Sequence, residues 1–129
     1  MGRRVLIVDD SGSSRHRTRL AVEALGHSVE EADDGRGGLE VCEQSEERFD
    51  LIICDFNMPR LTGLEMVERV RRLPGYANTP IFILSADFNP DLRRRGKAAR
   101  VNAWLRKPLS RESLVACVNR ALVGEEGAA

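Results

Sequence analysis

The chain has 129 residues, which is the size of one ordinary domain. Twenty acidic and twenty basic residues give a formal net charge of zero, which argues against a general binder of nucleic acids or anionic membranes. No apolar run approaches the roughly 18 residues of a membrane span, and the first ten residues lack the apolar stretch of a secretory signal. We therefore expect a cytoplasmic domain over residues 1–123, followed by a flexible tail over residues 124–129.

The charges are balanced in total but unevenly distributed along the chain. Residues 21–50 contain ten acidic residues against two arginines, whereas residues 51–110 contain eleven basic residues against five acidic ones. One face of the protein is therefore expected to be acidic and another basic. Eighteen of the twenty basic residues are arginines, so Lys97 and Lys107 are rare choices in this chain.

Short apolar runs predict the strands of the fold. Four of them are typical of strands buried on both faces: Val5–Val8, Leu51–Cys54, Ile81–Leu84 and the weaker Val101–Leu105. A fifth segment, Ser28–Ala32, predicts an edge strand because two glutamates dilute its apolar character.

Segments of helical length separate these strands. The first helix is expected to have one apolar face, formed by Leu20, Ala21, Ala24 and Leu25. Thr62 and Glu65 predict a capping box at the start of the third helix, and Asn89 followed by Pro90 predicts the start of the fourth. Five strands that alternate with five helices predict an α/β fold with a parallel sheet covered on both faces. At this length we expect the doubly wound, flavodoxin-like strand order 2-1-3-4-5.

In open sheets of this kind, ligands bind beyond the carboxyl ends of the strands. Asp9 and Asp10 follow the first predicted strand, Asp55 the third and Ser85 the fourth, while Lys107 comes just after the last. Three carboxylates at one edge would repel one another unless a cation neutralised them, and hard oxygen ligands of this kind suit Mg²⁺. The sequence therefore predicts a magnesium site at this edge.

The remaining groups at this edge suit phosphoryl chemistry. Lys107 would neutralise the negative oxygens of an arriving phosphoryl group, and the Ser85 hydroxyl would donate a hydrogen bond to the same group. Asp55, on the central strand, is then the natural carboxylate nucleophile.

Several motifs resemble, in order and spacing, the receiver domains of two-component response regulators: VLIVDDS (Val5–Ser11), DFNMP (Asp55–Pro59), Ser85-Ala86 and Lys107-Pro108. The resemblance extends from Arg4 to about Val123. Residues 73–87 and 95–108 look most like the single-domain chemotaxis receivers of the CheY type.

The resemblance implies a signalling module rather than an enzyme that acts on other substrates. It implies that Asp55 takes a phosphoryl group from a sensor histidine kinase, a histidine phosphotransfer protein or a small donor. Mg²⁺ would be held by Asp9, Asp10 and Asp55 together with the backbone carbonyl of Asn57.

The resemblance also implies a switch. The Ser85 hydroxyl would move toward the phosphoryl group and the Trp104 ring would follow inward. A downstream protein would then recognise the surface formed by the fourth helix, the last strand and the last helix. We expect a monomer or a phosphorylation-dependent dimer, without a membrane or nucleic-acid partner.

Some residues depart from the family pattern. Arg100 stands where a glycine is expected before the last strand, and arginine tolerates a positive φ poorly. The fourth helix carries a basic cluster that is unusual for a surface that binds a flagellar motor: Arg93, Arg94, Arg95, Lys97 and Arg100.

Three alternatives to a chemotaxis receiver therefore stay open. The chain could be a stand-alone receiver that shuttles phosphoryl groups in a phosphorelay or regulates another signalling protein. It could be a phosphorylation-independent scaffold or nucleic-acid module that uses the arginine-rich helix. A phosphohydrolase is the third, although such enzymes usually need a second carboxylate two residues after the nucleophile, where Asn57 stands.

Overall fold

The computed structural model describes residues 2–87 and 89–124, in which strands and helices alternate as the sequence predicts. The elements in chain order are β1 (Arg4–Val8), α1 (Gly12–Glu23), β2 (Ser28–Ala32), α2 (Gly35–Gln44), β3 (Leu51–Asp55), α3 (Gly63–Val70), β4 (Ile81–Ser85), α4 (Pro90–Ala98), β5 (Ala103–Arg106) and α5 (Arg111–Asn119). A π-helical turn, Arg120–Gly124, extends α5. The predicted tail lies outside the described residues from position 125 onward. No helix in the described ranges has the length and apolar character needed to cross a membrane.

The predicted strand order is confirmed. The sheet runs β2-β1-β3-β4-β5, and each pair of neighbouring strands is parallel. Val8 lies opposite Cys54, and Asp55 lies opposite Leu84, so the carboxyl ends of the central strands are level with one another. The order reverses between β1 and β3, which places the opening for a ligand at the carboxyl ends of these two strands.

Two apolar layers cover the sheet because consecutive side chains of a strand point to opposite faces. Val5 and Ile7 of β1 belong to a buried cluster with Val22 of α1 and Leu114 of α5. Leu6 and Val8, together with side chains of α2 and α3, belong to the cluster on the other face. Since β1, β3 and β4 are buried on both faces, the residues that follow them are held by rigid strands.

The expected burial of β5 is wrong. Ala103, Trp104 and Leu105 are only partly buried and Arg106 is exposed, because β5 is an edge strand with one neighbour. The strand also begins later than the apolar run suggested. Asn102 precedes it and pairs with Ile81 through both its backbone N–H and its side-chain oxygen, each at 2.9 Å.

The apolar face expected for α1 is wrong in part. Leu20 is 48% exposed and Ala24 is also exposed, whereas Thr18, Ala21 and Val22 are buried. The buried residues follow the 3.6-residue period, and Thr18 can join them because its hydroxyl donates to the Ser14 carbonyl at 3.1 Å. A threonine with this internal hydrogen bond packs as an apolar residue does. A pattern based on apolar residue types alone does not include it.

The predicted helix starts of α3 and α4 are confirmed. The Thr62 hydroxyl accepts from the Glu65 N–H at 3.1 Å, and the Glu65 carboxylate accepts from the Thr62 N–H at 2.9 Å. The Asn89 side chain accepts from the Asp91 N–H at 2.8 Å. These caps satisfy N–H groups that lack partners within the helices.

One guanidinium ties together the loops at the amino ends of β4 and β5. Arg71, at the end of α3, donates to the carbonyls of Tyr76 and Thr79 at 2.7 and 2.6 Å. It also donates to the carbonyls of Ala99 and Arg100 at 3.1 and 2.7 Å. Burial lowers the pKa of Arg71, and so does the charge of Arg100. The contacts of Arg71 connect the end of α4 to the body of the domain.

Arg100 adopts the left-handed conformation, with φ of 62°, at the position where the family pattern expects a glycine. We therefore predict that Arg100→Gly raises the free energy of unfolding by about 0.5 to 1 kcal/mol, because glycine adopts this conformation without steric cost. Urea denaturation would measure the change. The matched control is Arg94→Gly in the exposed middle of α4, which should lower the same free energy by about 1 kcal/mol. A loss of stability in both variants would contradict the assignment of strain to Arg100.

Candidate functional site

Three carboxylates meet at the carboxyl edge of the sheet, where the strand order predicts them. Asp9 and Asp10 follow β1, and Asp55 is the last residue of β3. One oxygen from each lies within 4.8 Å of the others. Asp9 and Asp55 are buried, whereas Asp10 is exposed. The cluster is therefore partly open to solvent and can be approached from one side.

The backbone around Asp9 is held by contacts that the sequence did not reveal. The Asp9 carboxylate accepts from the Ser11 N–H at 2.9 Å. Arg15, on the first turns of α1, donates to the Asp9 carbonyl at 2.6 Å and pairs with Glu31 of β2 at 2.7 Å. Arg15 is one of four basic residues in α1, counting His16, so the sequence carries no signal that distinguishes it.

Lys107 brings a positive charge to the carboxylates. Its ammonium nitrogen lies 2.5 Å from Oδ1 of Asp55. The Lys107 N–H donates to the Ser85 carbonyl at 3.0 Å, which holds the chain after β5 beside the end of β4. The peptide bond between Lys107 and Pro108 is cis. Of the two lysines in the chain, the sequence singled out this one, and the structure brings it to the cluster.

The pKa of Asp55 is raised above its ordinary value of 3.8. Burial is the largest cause, and the charges of Asp9 and Asp10 act in the same direction. Lys107 opposes them through its hydrogen bond and its charge. One lysine therefore does not compensate for burying this carboxylate beside two others.

The donor set fits a hard divalent cation. The oxygens of Asp9, Asp10 and Asp55 are close enough to share one ion, and carboxylate oxygens completed by water are the ligands that Mg²⁺ prefers. A cation would also favour the ionised form of Asp55, whose pKa is raised by burial and, to a lesser extent, by the charges of Asp9 and Asp10. Asn57, the fourth predicted ligand, lies two residues beyond β3 with an exposed side chain.

Ser85 lies at the same edge but makes a different contact. Its buried hydroxyl accepts from the Asp87 N–H at 2.9 Å. The neighbouring strand end is fixed by the Phe56 N–H, which donates to the Leu84 carbonyl at 2.8 Å. Ser85 is thus next to Asp55 in the sheet while its oxygen is engaged by the loop that leads to α4.

Trp104 lies outside the carboxylate cluster and contacts residues adjacent to it. Its ring centroid is 5.7 Å from that of Phe56, which directly follows Asp55. Its indole N–H donates to the Asp87 carbonyl at 3.4 Å. The peptide groups of Asp87 therefore connect the Ser85 hydroxyl to the Trp104 ring.

Two glycines allow close packing at the site. A Cβ on Gly63 would lie 2.4 Å from the Asp55 carbonyl oxygen, so the loop after β3 can return to this strand only with a glycine there. A Cβ on Gly96 would lie 2.9 Å from the Trp104 ring, so the buried Gly96 makes room for the indole against α4. An isolated glycine within a predicted helix is the sequence signal that could have identified Gly96.

A parallel sheet of order 2-1-3-4-5 with an acidic cluster and a lysine at its carboxyl edge defines the receiver class of signalling domains. The profile of the response regulator receiver domain matches residues 5–119. The chain therefore belongs to this family, whose members bind Mg²⁺ through acidic residues and accept phosphoryl groups from histidine kinases.

Individual proteins show the same similarity. The gliding motility regulatory protein of Myxococcus xanthus is 40% identical over 118 residues, which are 91% of this chain and 15% of that protein. The structure of the chemotaxis protein CheY4 of Vibrio cholerae superposes with a TM-score of 0.87 at 38% identity, covering 95% of this chain and all of that one. The receiver domain of the sensor histidine kinase PA1611 of Pseudomonas aeruginosa has a TM-score of 0.83 at 26% identity, and the match covers 96% of this chain and 99% of that one. That structure has a magnesium ion coordinated in its active-site cleft.

We predict that Asp55→Asn stabilises the metal-free protein at neutral pH. Because the pKa of Asp55 is raised in the folded state, its ionisation costs stability as the pH rises through the folded pKa. The amide removes this cost, so the variant should have the higher unfolding midpoint in EDTA at pH 7. Below the unfolded pKa of 3.8 the advantage should disappear. Thermal unfolding at both pH values measures the effect, and equal midpoints at pH 7 would contradict it.

Proposed function

We propose that residues 1–123 form a phosphorylation-switched signalling module in which Asp55 accepts a phosphoryl group. The observation that carries this proposal is the contact between Lys107 and Asp55 within the cluster of three carboxylates. A buried carboxylate on a central strand, next to a compact positive charge and open to solvent on one side, suits nucleophilic attack on phosphorus.

Asp9, Asp10 and Asp55, with the backbone carbonyl of Asn57, are the groups that would hold Mg²⁺. When bound, the ion supplies positive charge that offsets the negative charge of the transferring phosphoryl oxygens. The cleft of the PA1611 receiver domain, which holds magnesium, supports this assignment by similarity. Arg15 acts indirectly, since its bond to the Asp9 carbonyl positions the carboxylate beside Asp55.

The proposed transfer uses the carboxylate of Asp55 as nucleophile. An Asp55 oxygen forms a bond to the phosphorus of a phosphohistidine on the donor protein. The phosphorus–nitrogen bond of the donor breaks, and the histidine leaves with the electron pair. The product is an acyl phosphate on Asp55, whose added oxygens Lys107 neutralises and to which Ser85 can donate its hydroxyl hydrogen.

The proposed switch passes through the peptide groups of Asp87. When the Ser85 hydroxyl turns toward the phosphoryl oxygens, it gives up the hydrogen bond from the Asp87 N–H. The Asp87 carbonyl, which accepts from the indole of Trp104, then loses its present orientation. Phosphorylation therefore favours a different arrangement of Trp104 and of the surface formed by α4, β5 and α5.

The phosphodonor is proposed to be a sensor histidine kinase or a histidine phosphotransfer protein, and the target a downstream protein that recognises the switched surface. Chemotaxis is one proposed setting, supported by the similarity to CheY4 over the whole of that chain. The protein is proposed to be a monomer or a phosphorylation-dependent dimer.

Mass spectrometry tests the acceptor. Incubation with acetyl phosphate and Mg²⁺ should add one phosphoryl group to the protein, and Asp55→Asn should abolish the addition because an amide cannot form the acyl phosphate. The matched control is Glu46→Gln, which removes an exposed carboxylate in the loop before β3, at the opposite edge of the sheet, and should leave labelling unchanged. Equal labelling of the Asp55→Asn variant would refute Asp55 as the acceptor.

Intrinsic fluorescence tests the switch, since Trp104 is the one tryptophan of the chain. Adding beryllofluoride and Mg²⁺, which mimic the phosphorylated state, should change the emission because the indole leaves its contacts with Asp87 and Phe56. At a beryllofluoride concentration that saturates both proteins, Ser85→Ala should show a smaller change than the wild type. An unchanged spectrum in the wild-type protein, with binding shown separately, would remove Trp104 from the switch.

A further inference from the structure

Three hydrogen bonds hold Asp9 at the end of β1. Its N–H donates to the Ala32 carbonyl at 3.1 Å, which ties it to the edge strand β2. Its carboxylate accepts from the Ser11 N–H at 2.9 Å, and its carbonyl accepts from the guanidinium of Arg15 at 2.6 Å. The orientation of the Asp9 carboxylate, and with it the geometry of the cluster, therefore depends in part on the position of Arg15.

A carboxylate on β2 determines where Arg15 lies. Oε1 of Glu31 accepts from Nε of Arg15 at 2.7 Å, while Nη1 of the same guanidinium donates to the Asp9 carbonyl. Because a guanidinium is planar and its donors have fixed directions, the contact with Glu31 sets the direction of the contact with Asp9. The side chains of Arg15 and Glu31 are 21% and 26% exposed, so this pair is better shielded from water than an ordinary surface ion pair.

Glu31 is itself held in place. Its second oxygen, Oε2, pairs with Arg19, four residues further along α1, and Arg19 also pairs with Glu23 at 3.0 Å. Burial alone would raise the pKa of Glu31, but the hydrogen bonds from Arg19 and Arg15 lower it below its ordinary value of 4.5. Glu31 is therefore ionised at neutral pH. Since both of its oxygens are engaged, its carboxylate has a defined orientation.

We propose that Glu31 is a positioning residue for the metal site and acts through Arg15. The pair fixes the peptide group of Asp9 and thereby keeps its carboxylate close to those of Asp10 and Asp55 before an ion binds. This inference rests on the proposed function, because it concerns the ion that the three carboxylates would hold. It gives a residue of the edge strand β2 a role in a site formed by β1 and β3.

Charge and positioning predict opposite results when Arg15 is replaced. If Arg15 acted on the site through its charge alone, Arg15→Gln would remove a cation near the cluster and strengthen Mg²⁺ binding. If Arg15 positions Asp9, the same substitution releases the Asp9 peptide and weakens Mg²⁺ binding. The expected loss is about tenfold, the lower end of the usual effect of a group that orients a metal ligand.

The test is a titration with Mg²⁺ followed by amide NMR spectra, which give the dissociation constant. Arg15→Gln should weaken Mg²⁺ binding by about tenfold and Glu31→Ala by about fivefold. Glu31→Gln should recover part of the second loss, because its amide oxygen still accepts from Arg15 although the charge is gone. The double variant Arg15→Gln and Glu31→Ala should bind no more weakly than Arg15→Gln alone, since Glu31 acts through Arg15.

The matched controls remove the same charges at neighbouring positions. Arg17→Gln changes an exposed arginine of α1, and Glu30→Ala changes the glutamate before Glu31 on β2, which pairs with Arg4. Both should keep the Mg²⁺ affinity within about twofold of the wild type. Tighter binding by Arg15→Gln, additive losses in the double variant, or equal losses in Glu30→Ala and Glu31→Ala would overturn the proposal.

The amide signal of Ser11 separates this inference from the proposed function. Recorded in EDTA, it reports on the Asp9 carboxylate without any metal, because the Ser11 N–H donates to that group. A wild-type protein that does not bind Mg²⁺ contradicts the proposed metal site, and a Ser11 signal that Glu31→Ala still shifts would then retain Glu31 as the residue that orients Asp9. Mg²⁺ binding that Glu31→Ala leaves unchanged, with an unchanged Ser11 signal, upholds the metal site and rejects Glu31 as a positioning residue.

Discussion

The structure depends on bringing three carboxylates together at a place where they repel one another. Two apolar layers hold β1 and β3 side by side, and this packing buries the side chains of Asp9 and Asp55. Lys107 lies against Asp55, yet the pKa of that carboxyl is still raised. The free energy needed to assemble the site comes from the core rather than from the site itself. Such an edge favours whatever adds positive charge to it, which is the electrostatic basis for a divalent cation.

Two sets of contacts connect the carboxyl edge of the sheet to Trp104 on β5. Asp55 is followed by Phe56, whose ring meets Trp104, and Ser85 is linked to Trp104 through the peptide groups of Asp87. Both connections are short, and both end at a strand that is only half-buried. An edge strand can change its side-chain packing without disturbing the sheet, so its exposure suits a position that must differ between two states.

The sheet order could be predicted because buried parallel strands are recognisable in the sequence as uninterrupted apolar runs. The carboxylate cluster could be predicted because the carboxyl ends of parallel strands lie at the same edge of a sheet. The burial of Thr18 in α1 could not be predicted from a pattern of apolar residues, because it depends on the hydrogen bond that the Thr18 hydroxyl donates within the helix. The partial exposure of β5 follows from its position at the edge of the sheet and not from its apolar composition. The roles of Arg15, Arg71 and Gly96 depend on contacts between different elements of the folded chain, and residue spacing does not encode these contacts.

The guanidinium of Arg71 makes α4 an asymmetric element. At its carboxyl end the helix is held to the body of the domain, because Arg71 donates hydrogen bonds to the carbonyls of Ala99 and Arg100. At its amino end it leads back, through Asp87, to the hydroxyl of Ser85. A helix that is held at its carboxyl end and displaced at its amino end pivots about the held end. Small displacements beside the carboxylates would therefore move the first turn of α4 the most and the chain at Arg100 the least.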